Sequence, residues 1–229
     1  MPLSFDGQRI LILGAGVTGN AVARSLTKRG AVVSMADENP AAQSEHRVIG
    51  AKDVVIKDFD SVVVSPGWRQ DHPLVVAAKA SGLSLLNEVD LAWQIKSEIA
   101  PGQKWLALTG TNGKTTTVEM VAAMLKRGGL KATACGNVGE TVIEVVDRAD
   151  AFEVLVLELS SFQLHWSKQA QFVASAILNI ADDHIDWHGS FDEYAKAKLT
   201  ILDRATTAVL NADEGEIVKR TSHWQGRKV

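Results

Sequence analysis

The 229-residue sequence predicts an α/β protein made of two successive domains, each with a parallel sheet. Short apolar runs alternate with helical patterns along most of the chain, which is typical of parallel strands joined by right-handed crossovers. Two glycine-rich segments each follow an apolar run and precede a helical pattern. Between them, Pro101 and Gly102 interrupt the alternation, as a linker does. We therefore expect one domain over residues 1–99 and a second over residues 100–229.

The first domain begins with a continuous apolar run from Ile10 to Leu13, which a glycine-rich turn follows. A helical pattern after this turn reaches Arg29 and ends before Gly30, a residue suited to the C-terminal end of a helix. The remaining elements of this domain are predicted as a helix at residues 73–81 and as strands at residues 31–36, 61–64 and 83–86.

The second domain repeats this pattern. A strand at residues 105–108 leads into a glycine-rich loop and an amphipathic helix that Gly128 ends. Residues 221–229 contain no closing element, so we expect this domain to be incomplete at the end of the chain. Further apolar runs predict strands, covered on both faces, at residues 154–157, 173–178 and 207–210.

Composition and charge narrow the class of protein. The net charge of -3 gives no reason to expect nucleic acid or an anionic membrane as a partner. The single cysteine, Cys135, excludes an internal disulfide and fits a reducing compartment. The N-terminus lacks the basic start and apolar core of a signal peptide, and the apolar run at residues 172–181 is too short to span a bilayer. We therefore expect a soluble, cytoplasmic protein.

The segment GAGVTG at residues 14–19 fits the pattern G-x-G-x-x-G between a predicted strand and a predicted helix. Together with Asp37 at the end of the next strand, it is typical of a Rossmann-like nucleotide-binding domain. The absence of side chains lets backbone N–H groups and the helix N-terminus approach a pyrophosphate. The pattern does not establish which nucleotide binds, and a tight turn that binds nothing is the alternative.

The segment TGTNGKTT at residues 109–116 resembles a phosphate-binding loop (P-loop) of an α/β ATPase-type domain, with the shorter spacing G-x-x-G-K-T. Backbone N–H groups would hold the β- and γ-phosphates, Lys114 would neutralise them, and the Thr115 hydroxyl would bind Mg²⁺. A lysine at a helix N-terminus is opposed by the helix dipole unless an anion lies between them, which argues against an ordinary surface loop. The expected ATP-binding residues are Gly110, Thr111, Asn112, Gly113, Lys114, Thr115 and Thr116.

Polar side chains follow two further predicted strands. Glu158 ends a buried strand, where an ionised carboxylate needs a cation or donors, so we expect it to share Mg²⁺ with Thr115. The alternative is a cap for a helix that begins near Ser160. Carboxylates and imidazoles after the next strand could hold a second cation or substrate phosphates, or form a solvated loop. These side chains are Asp182, Asp183, His184, Asp186 and His188.

Lys198 occupies an unusual position on a helix predicted over residues 191–202. It lies in the middle of the apolar face, while Lys196 points elsewhere. A buried ammonium loses its proton, pairs with an anion or is chemically modified. The alternative is a lysine whose stem follows the apolar face until the amine reaches solvent.

Several segments together resemble the ATP-dependent Mur ligases of bacterial cell-wall synthesis. The short loop GTNGKTT occurs in several relatives, including folylpolyglutamate synthases. ELSSFQL, at residues 158–164, resembles the signature of the members that add D-glutamate to UDP-N-acetylmuramoyl-L-alanine. GNVG, DDHID and AKAKL also match, at residues 136–139, 182–186 and 195–199.

This resemblance implies that the glycine-rich turn binds the UDP part of the substrate rather than NAD, with Asp37 near the uracil. Glu38 and Asn39 depart from the family pattern, which leaves the uracil contacts beyond Asp37 open. The implied UDP-substrate-binding residues are Gly14, Val17, Thr18, Asp37, Ser65, Pro66, Gly67, Asn137 and His184.

The resemblance also implies two Mg²⁺ sites and a set of catalytic residues. Thr115 and Glu158 would bind the first ion, and His184 and a carbamylated Lys198 the second. Lys114, His184 and Lys198 would be catalytic. ATP would phosphorylate the L-alanine carboxylate, and the amine of D-glutamate would then displace phosphate. Family members carry most D-glutamate contacts on a third domain, so we expect this chain, as a monomer, to bind the UDP-substrate without turnover.

Three other functions compete with this interpretation. A nicotinamide-dependent dehydrogenase would use GAGVTG and Asp37 but would leave Lys114 and Glu158 without a role. A non-catalytic nucleotide-binding module would keep its function after loss of the Lys114 side chain. Another amide ligase of the superfamily is opposed by ELSSFQL and by the UDP-type first domain.

Overall fold

The computed structural model describes residues 4–148 and 151–229. Two parallel sheets, each flanked by helices, follow one another along this part of the chain, so the predicted α/β class is confirmed. No helix in these two ranges is both long and apolar enough to cross a membrane.

The first sheet has five described strands in the order β3-β2-β1-β4-β5. The strands are β1 (Arg9–Leu13), β2 (Val32–Asp37), β3 (Arg47–Gly50), β4 (Ser61–Val64) and β5 (Ser84–Leu86). Helices α1 (Val17–Thr27) and α2 (Pro73–Ala80) cover its two faces. Strand β1 is apolar from Ile10 to Leu13 because Ile10 and Ile12 join the core that includes α1, whereas Leu11 and Leu13 pack with α2.

The second sheet has six described strands in the order β11-β10-β9-β6-β8-β7. They are β6 (Lys104–Thr109), β7 (Ala132–Gly136), β8 (Val154–Glu158), β9 (Phe172–Ile177), β10 (Ala205–Leu210) and β11 (Arg227–Lys228). The helices that accompany it are α4 (Lys114–Arg127), α5 (Val142–Val146), α6 (Ser161–Trp166), α7 (Ile185–His188), α8 (Phe191–Leu199) and α9 (Gly215–Thr221).

Helix α3 (Glu88–Ile99) joins the two sheets and packs against α5. The buried Asp90 carboxylate on α3 accepts the Ser167 hydroxyl at 2.8 Å and three backbone N–H groups of residues 168–170 at 2.7 to 3.0 Å. One hydrophobic cluster contains residues of both sheets and of α3. The chain segments before and after residue 99 are therefore in close contact, and the boundary expected there stays a prediction.

Several boundaries differ from the sequence prediction, by one to three residues. Helix α1 ends at Thr27, two residues early, because Gly30 already lies in the left-handed region with φ of 85°. Helix α8 ends at Leu199, and a short 3-10 turn follows. The segment 221–229, expected to hold no element, contributes the two-residue edge strand β11, which pairs with β10.

Candidate nucleotide and substrate sites

The predicted phosphate loop lies between β6 and α4, at the carboxyl end of the second sheet. Gly113 adopts a φ of 79° just before the helix begins at Lys114, a conformation that favours glycine. Asn179, which follows β9, accepts the Asn112 N–H at 2.8 Å and donates to the Asn112 carbonyl at 3.1 Å. Asn179 is not among the predicted site residues. It lies beside the loop only because β9, which precedes it, is paired with β6 in the sheet.

Two lysines donate to carbonyls of this loop. The Lys114 amine donates to the Thr111 carbonyl at 2.9 Å, and the Lys198 amine donates to the Gly110 carbonyl at 2.8 Å. The Lys114 amine thus lies at the loop, where it is available to a bound phosphate. The hydroxyls of Thr111 and Tyr194 also hydrogen-bond, at 2.9 Å, which ties the loop to α8.

Lys198 is buried, as its position on the apolar face predicts, with only 2% of its surface exposed. Its amine lies 4.7 Å from the centre of the Tyr194 ring. Burial, together with the nearby Lys114, lowers the pKa of Lys198 to about 7. Lys196, on the same helix, forms only an exposed ion pair with Glu193.

Glu158 connects the phosphate loop to the region around β7. Its carboxylate is buried and accepts the Thr115 hydroxyl at 2.8 Å on one oxygen and the Asn137 amide at 3.0 Å on the other. The alternative role as a helix cap is wrong, because Ser160 caps α6 in a reciprocal arrangement with Gln163. Glu158 therefore keeps its carboxylate directed at Thr115 and Asn137.

A cleft of about 390 Å³ lies between the glycine-rich turn of the first sheet and the starts of α5 and α6. Six predicted substrate residues line it, namely Val17, Thr18, Ser65, Pro66, Gly67 and Asn137. The other residues that line the cleft are not among the predicted site residues, although GAGVTG, GNVG and ELSSFQL contain most of them. These residues are Gly16, Gly19, Gly136, Gly139, Thr141, Ser160, Phe162 and Gln163.

The glycine-rich turn is tightly packed behind this cleft. A Cβ at Gly19 would overlap the carbonyl oxygen of Gly14, so the α1 N-terminus can approach the turn only without side chains. Asp37 does not line the cleft: its carboxylate accepts the Ala15 N–H at 2.7 Å and the Asn39 N–H at 2.8 Å. The buried Ser65 hydroxyl has no hydrogen-bond partner among the described residues.

His184 lies beside the cleft rather than in its wall. It is the N-terminal cap residue of α7, with φ of 51°, and about half of its side chain is exposed. Its ring centre is 4.7 Å from that of Phe162, which lines the cleft. His188 instead points towards Ser161, at 3.0 Å, and burial lowers the pKa of its imidazole to about 4.

The described residues contain no group of three or more His, Cys, Asp or Glu side chains arranged to hold a metal ion. Mg²⁺ at a phosphate site does not need one, since one or two protein oxygens, phosphates and water complete its octahedral coordination. The Thr115 hydroxyl and the Glu158 carboxylate, 2.8 Å apart, fit this requirement. The second site, with His184 and Lys198, stays a prediction.

Two parallel sheets, a glycine-rich turn that lines a cleft and a phosphate loop at the carboxyl end of the second sheet are typical of an α/β nucleotide-binding protein. Residues 108–229 match the sequence model of the Mur ligase middle domain, and residues 8–87 match that of the MurD-like Mur ligase N-terminal domain. The chain belongs to the Mur ligase family.

Two curated relatives are UDP-N-acetylmuramoylalanine--D-glutamate ligases. The protein from Corynebacterium efficiens is 44% identical, over 97% of this chain and 48% of its own length. The protein from Thermobifida fusca is 43% identical, over 92% of this chain and 47% of its own length. The chain thus spans about half the length of the curated relatives it matches.

Solved structures support the fold. The UDP-N-acetylmuramate:L-alanyl-gamma-D-glutamyl-meso-diaminopimelate ligase from Neisseria meningitides has a TM-score of 0.62 and 16% identity, over 97% of this chain and 77% of that one. The MurF ligase from Thermotoga maritima in complex with ADP has a TM-score of 0.53 and 18% identity, over 99% of this chain and 48% of that one. Both have the two-sheet arrangement found here, which confirms the predicted fold of a Rossmann-like domain followed by a P-loop domain.

Proposed function

We propose that this chain forms the UDP-substrate-binding and ATP-binding parts of a ligase that adds D-glutamate to UDP-N-acetylmuramoyl-L-alanine. One observation carries the proposal: Glu158 accepts hydrogen bonds from Thr115 of the phosphate loop and from Asn137 of the cleft. A nucleotide on the loop and a substrate in the cleft would therefore meet at this carboxylate. Residues 1–99 would bind the UDP-substrate and residues 100–229 ATP.

The cleft suits a sugar nucleotide that carries a diphosphate. The α1 N-terminus faces it, and Val17 and Thr18 of the first turn of α1 line it. The unpartnered Ser65 hydroxyl, beside Gly14 of the glycine-rich turn, would donate to a phosphate oxygen. Asn137, which lines the cleft from the second sheet, would hold the muramoyl-alanine part near Glu158.

The phosphate loop would orient the γ-phosphate of ATP towards the carboxylate of that alanine. Lys114 would leave the Thr111 carbonyl and neutralise the phosphates. Mg²⁺ held by Thr115 and Glu158 would supply further charge neutralisation. An oxygen of the alanine carboxylate then attacks the γ-phosphorus and the bond to ADP breaks. The amine of D-glutamate attacks the resulting acyl phosphate, and phosphate leaves as the amide forms.

Lys198 is suited to carry a carbamate. A neutral amine attacks CO₂ and releases one proton, and the lowered pKa of Lys198 leaves a large neutral fraction near pH 7. The product would be an anion in place of a buried cation. Together with His184, this anion would be available for a second Mg²⁺. Incorporation of ¹³C-labelled CO₂, followed by NMR on the wild type and on Lys198→Arg, tests the modification directly.

The proposal also covers the location, the oligomeric state and the third substrate of the protein. The protein would act in the cytoplasm as a monomer, and D-glutamate would be its third substrate. We expect residues 1–229 to bind the UDP-substrate, and absence of that binding would overturn the expectation.

Calorimetric titration with UDP-N-acetylmuramoyl-L-alanine tests the assignment of the cleft. We expect saturable binding to the chain, little heat from NAD⁺, and weaker binding by Ser65→Ala. Ser222→Ala is the matched control, because its hydroxyl donates to the Lys219 carbonyl of α9, away from the cleft. Binding of NAD⁺ without any response to the UDP-substrate would favour a dehydrogenase instead.

A fluorescent ATP analogue tests the phosphate loop. Lys114→Ala removes the cation at the start of α4, so we expect affinity to fall by about tenfold or more, as for loss of a charge-assisted contact. Lys126→Ala removes a lysine from the other end of the same helix and should bind like the wild type. Equal affinities for all three proteins would refute the nucleotide site.

A further inference from the structure

Three hydrogen bonds connect the loop after β4 with the second domain. The Trp187 indole N–H donates to the Gly67 carbonyl at 2.9 Å, and the Trp166 indole N–H donates to the Trp68 carbonyl at 3.2 Å. The Arg69 guanidinium donates in the opposite direction, to the Asp186 carbonyl at 2.6 Å. We call these three contacts the latch. The same loop begins with residues 65–67, which line the substrate cleft.

Trp187 connects the latch to His184 by two routes. Its ring centre lies 4.8 Å from that of Phe162, and Phe162 lies 4.7 Å from His184. Along the backbone, the N–H groups of Trp187 and His188 both donate to the His184 carbonyl at 3.1 Å. A displacement of Trp187 would therefore move both the ring that packs on His184 and its backbone.

Helix α7 depends on such external contacts for its order. It has only four residues, too few for a stable helix by itself, and begins from the left-handed backbone of His184. Two of the three latch bonds lie at exposed positions, where water can replace a lost partner. The latch can thus be weakened without loss of the fold.

We propose that Trp187 is a positioning residue through which substrate in the cleft sets the place of His184. Substrate bound against residues 65–67 fixes the Gly67 carbonyl, this carbonyl holds the Trp187 indole, and Trp187 holds Phe162 and the α7 backbone against His184. The inference rests on the proposed function, because it needs the UDP-substrate to occupy the cleft. It adds a role for a tryptophan that does not line the cleft itself but contacts two residues that do, Gly67 and Phe162.

The decisive variant is Trp187→Phe, which removes the indole N–H and keeps an aromatic ring. Trp224→Phe is the matched control, because Trp224 packs beyond α9 and has no contact with the latch. Arg69→Met removes a second latch bond from an exposed side chain, so it tests the latch even if Trp187→Phe folds poorly. Circular dichroism verifies the fold of each variant.

Two measurements on the chain with UDP-N-acetylmuramoyl-L-alanine separate the outcomes. Calorimetry gives the affinity, which we expect to fall about fivefold in Trp187→Phe, as for loss of one neutral hydrogen bond. NMR of the imidazole signals, assigned with His184→Gln, reports on His184. We expect substrate to shift the His184 signal in the wild type and in Trp224→Phe, and to shift it much less in Trp187→Phe and Arg69→Met.

Each result is informative. An unchanged affinity together with an unchanged His184 shift in both latch variants would overturn the role of Trp187 and leave the proposed function intact. Absence of substrate binding by the wild type would refute the proposed function itself. A reduced His184 response in both latch variants, with binding retained, would support the latch, because loss of fold would also abolish the binding.

Discussion

Glu88 provides the sharpest test of the packing between the two sheets. It is the first residue of α3, only 2% of its surface is exposed, and its carboxylate accepts the Ile143 N–H at 2.8 Å near the start of α5. Burial raises the pKa of this carboxyl from its ordinary 4.5 to about 7, although the N–H groups of Ile143 and Val142 oppose the rise. We choose Glu88→Gln, which keeps an acceptor oxygen and cannot ionise.

The sign follows from the raised pKa. A folded-state pKa above the unfolded one means that the folded protein binds the proton more tightly, so the stabilisation is complete below pH 4.5 and is lost as the pH rises through about 7. The interval from 4.5 to about 7 corresponds to about 3 kcal/mol of unfolding free energy. Glu88→Gln lacks this loss, because its amide stays neutral throughout.

Urea denaturation at pH 5 and pH 8 measures the difference. Between pH 5 and pH 8, we expect the free energy of unfolding of the wild type to fall relative to that of Glu88→Gln. The expected relative fall is up to about 3 kcal/mol. Glu119→Gln, at an exposed position on α4, controls for the loss of one negative charge. An identical pH dependence for Glu88→Gln and the wild type would refute the assignment of a buried, proton-binding carboxyl.

Two further predictions concern side chains with many hydrogen bonds. Asp90→Ala leaves the N–H groups of residues 168–170 without their side-chain acceptor, that of Ala170 in a buried position, so we expect it to lower the free energy of unfolding by about 3 kcal/mol, measured by urea denaturation. A loss below about 1 kcal/mol would contradict this reasoning. Asn179→Ala frees the Asn112 N–H and carbonyl at the tip of the phosphate loop, and we expect a fluorescent ATP analogue to bind about tenfold more weakly. Asn211→Ala, which removes a side chain that also donates to a loop carbonyl, is its control and should bind like the wild type.

The strands that the sequence predicts well are those buried on both faces. Strands β1, β4 and β8 each contain a continuous apolar run, because helices cover both sides of each sheet centre. The sequence does not predict β3, which lies at the exposed edge of the first sheet, or β7, whose sequence ATACG contains mostly small residues. Neither has a strong apolar signal, and only pairing with a neighbouring strand defines them.

Helix α3 was missed for a different reason. Its sequence EVDLAWQIKSEI places Glu88, Asp90 and Lys96 among apolar residues, and all three are buried. A pattern of this kind does not resemble one apolar and one solvated face. The partners of the two carboxylates, Ile143 and residues 167–170, are more than fifty positions away in sequence.

The residues of the candidate site also fall into a group that the sequence predicts and a group that it does not. Motifs formed by neighbours in sequence, the glycine-rich turn and the phosphate loop with Lys114, are predicted in their correct structural context. The predicted partnership of Glu158 with Thr115 also matches the geometry, because β6 and β8 are adjacent and their carboxyl ends coincide. Asn179 and the cleft wall formed by Ser160 and Phe162 depend on strand order and helix packing, which a single sequence does not specify.

The Asp90 contacts with residues 167–170 have a consequence for protein engineering. A chimera that joins the first domain of a relative to this chain at residue 99 would replace α3 and with it Asp90. The four donors at residues 167–170 would then lose the carboxylate that they contact here. A junction at residue 86, before α3 begins, would leave that connection native. The segment that can be exchanged between relatives thus ends at β5, and α3 should be kept together with the second sheet.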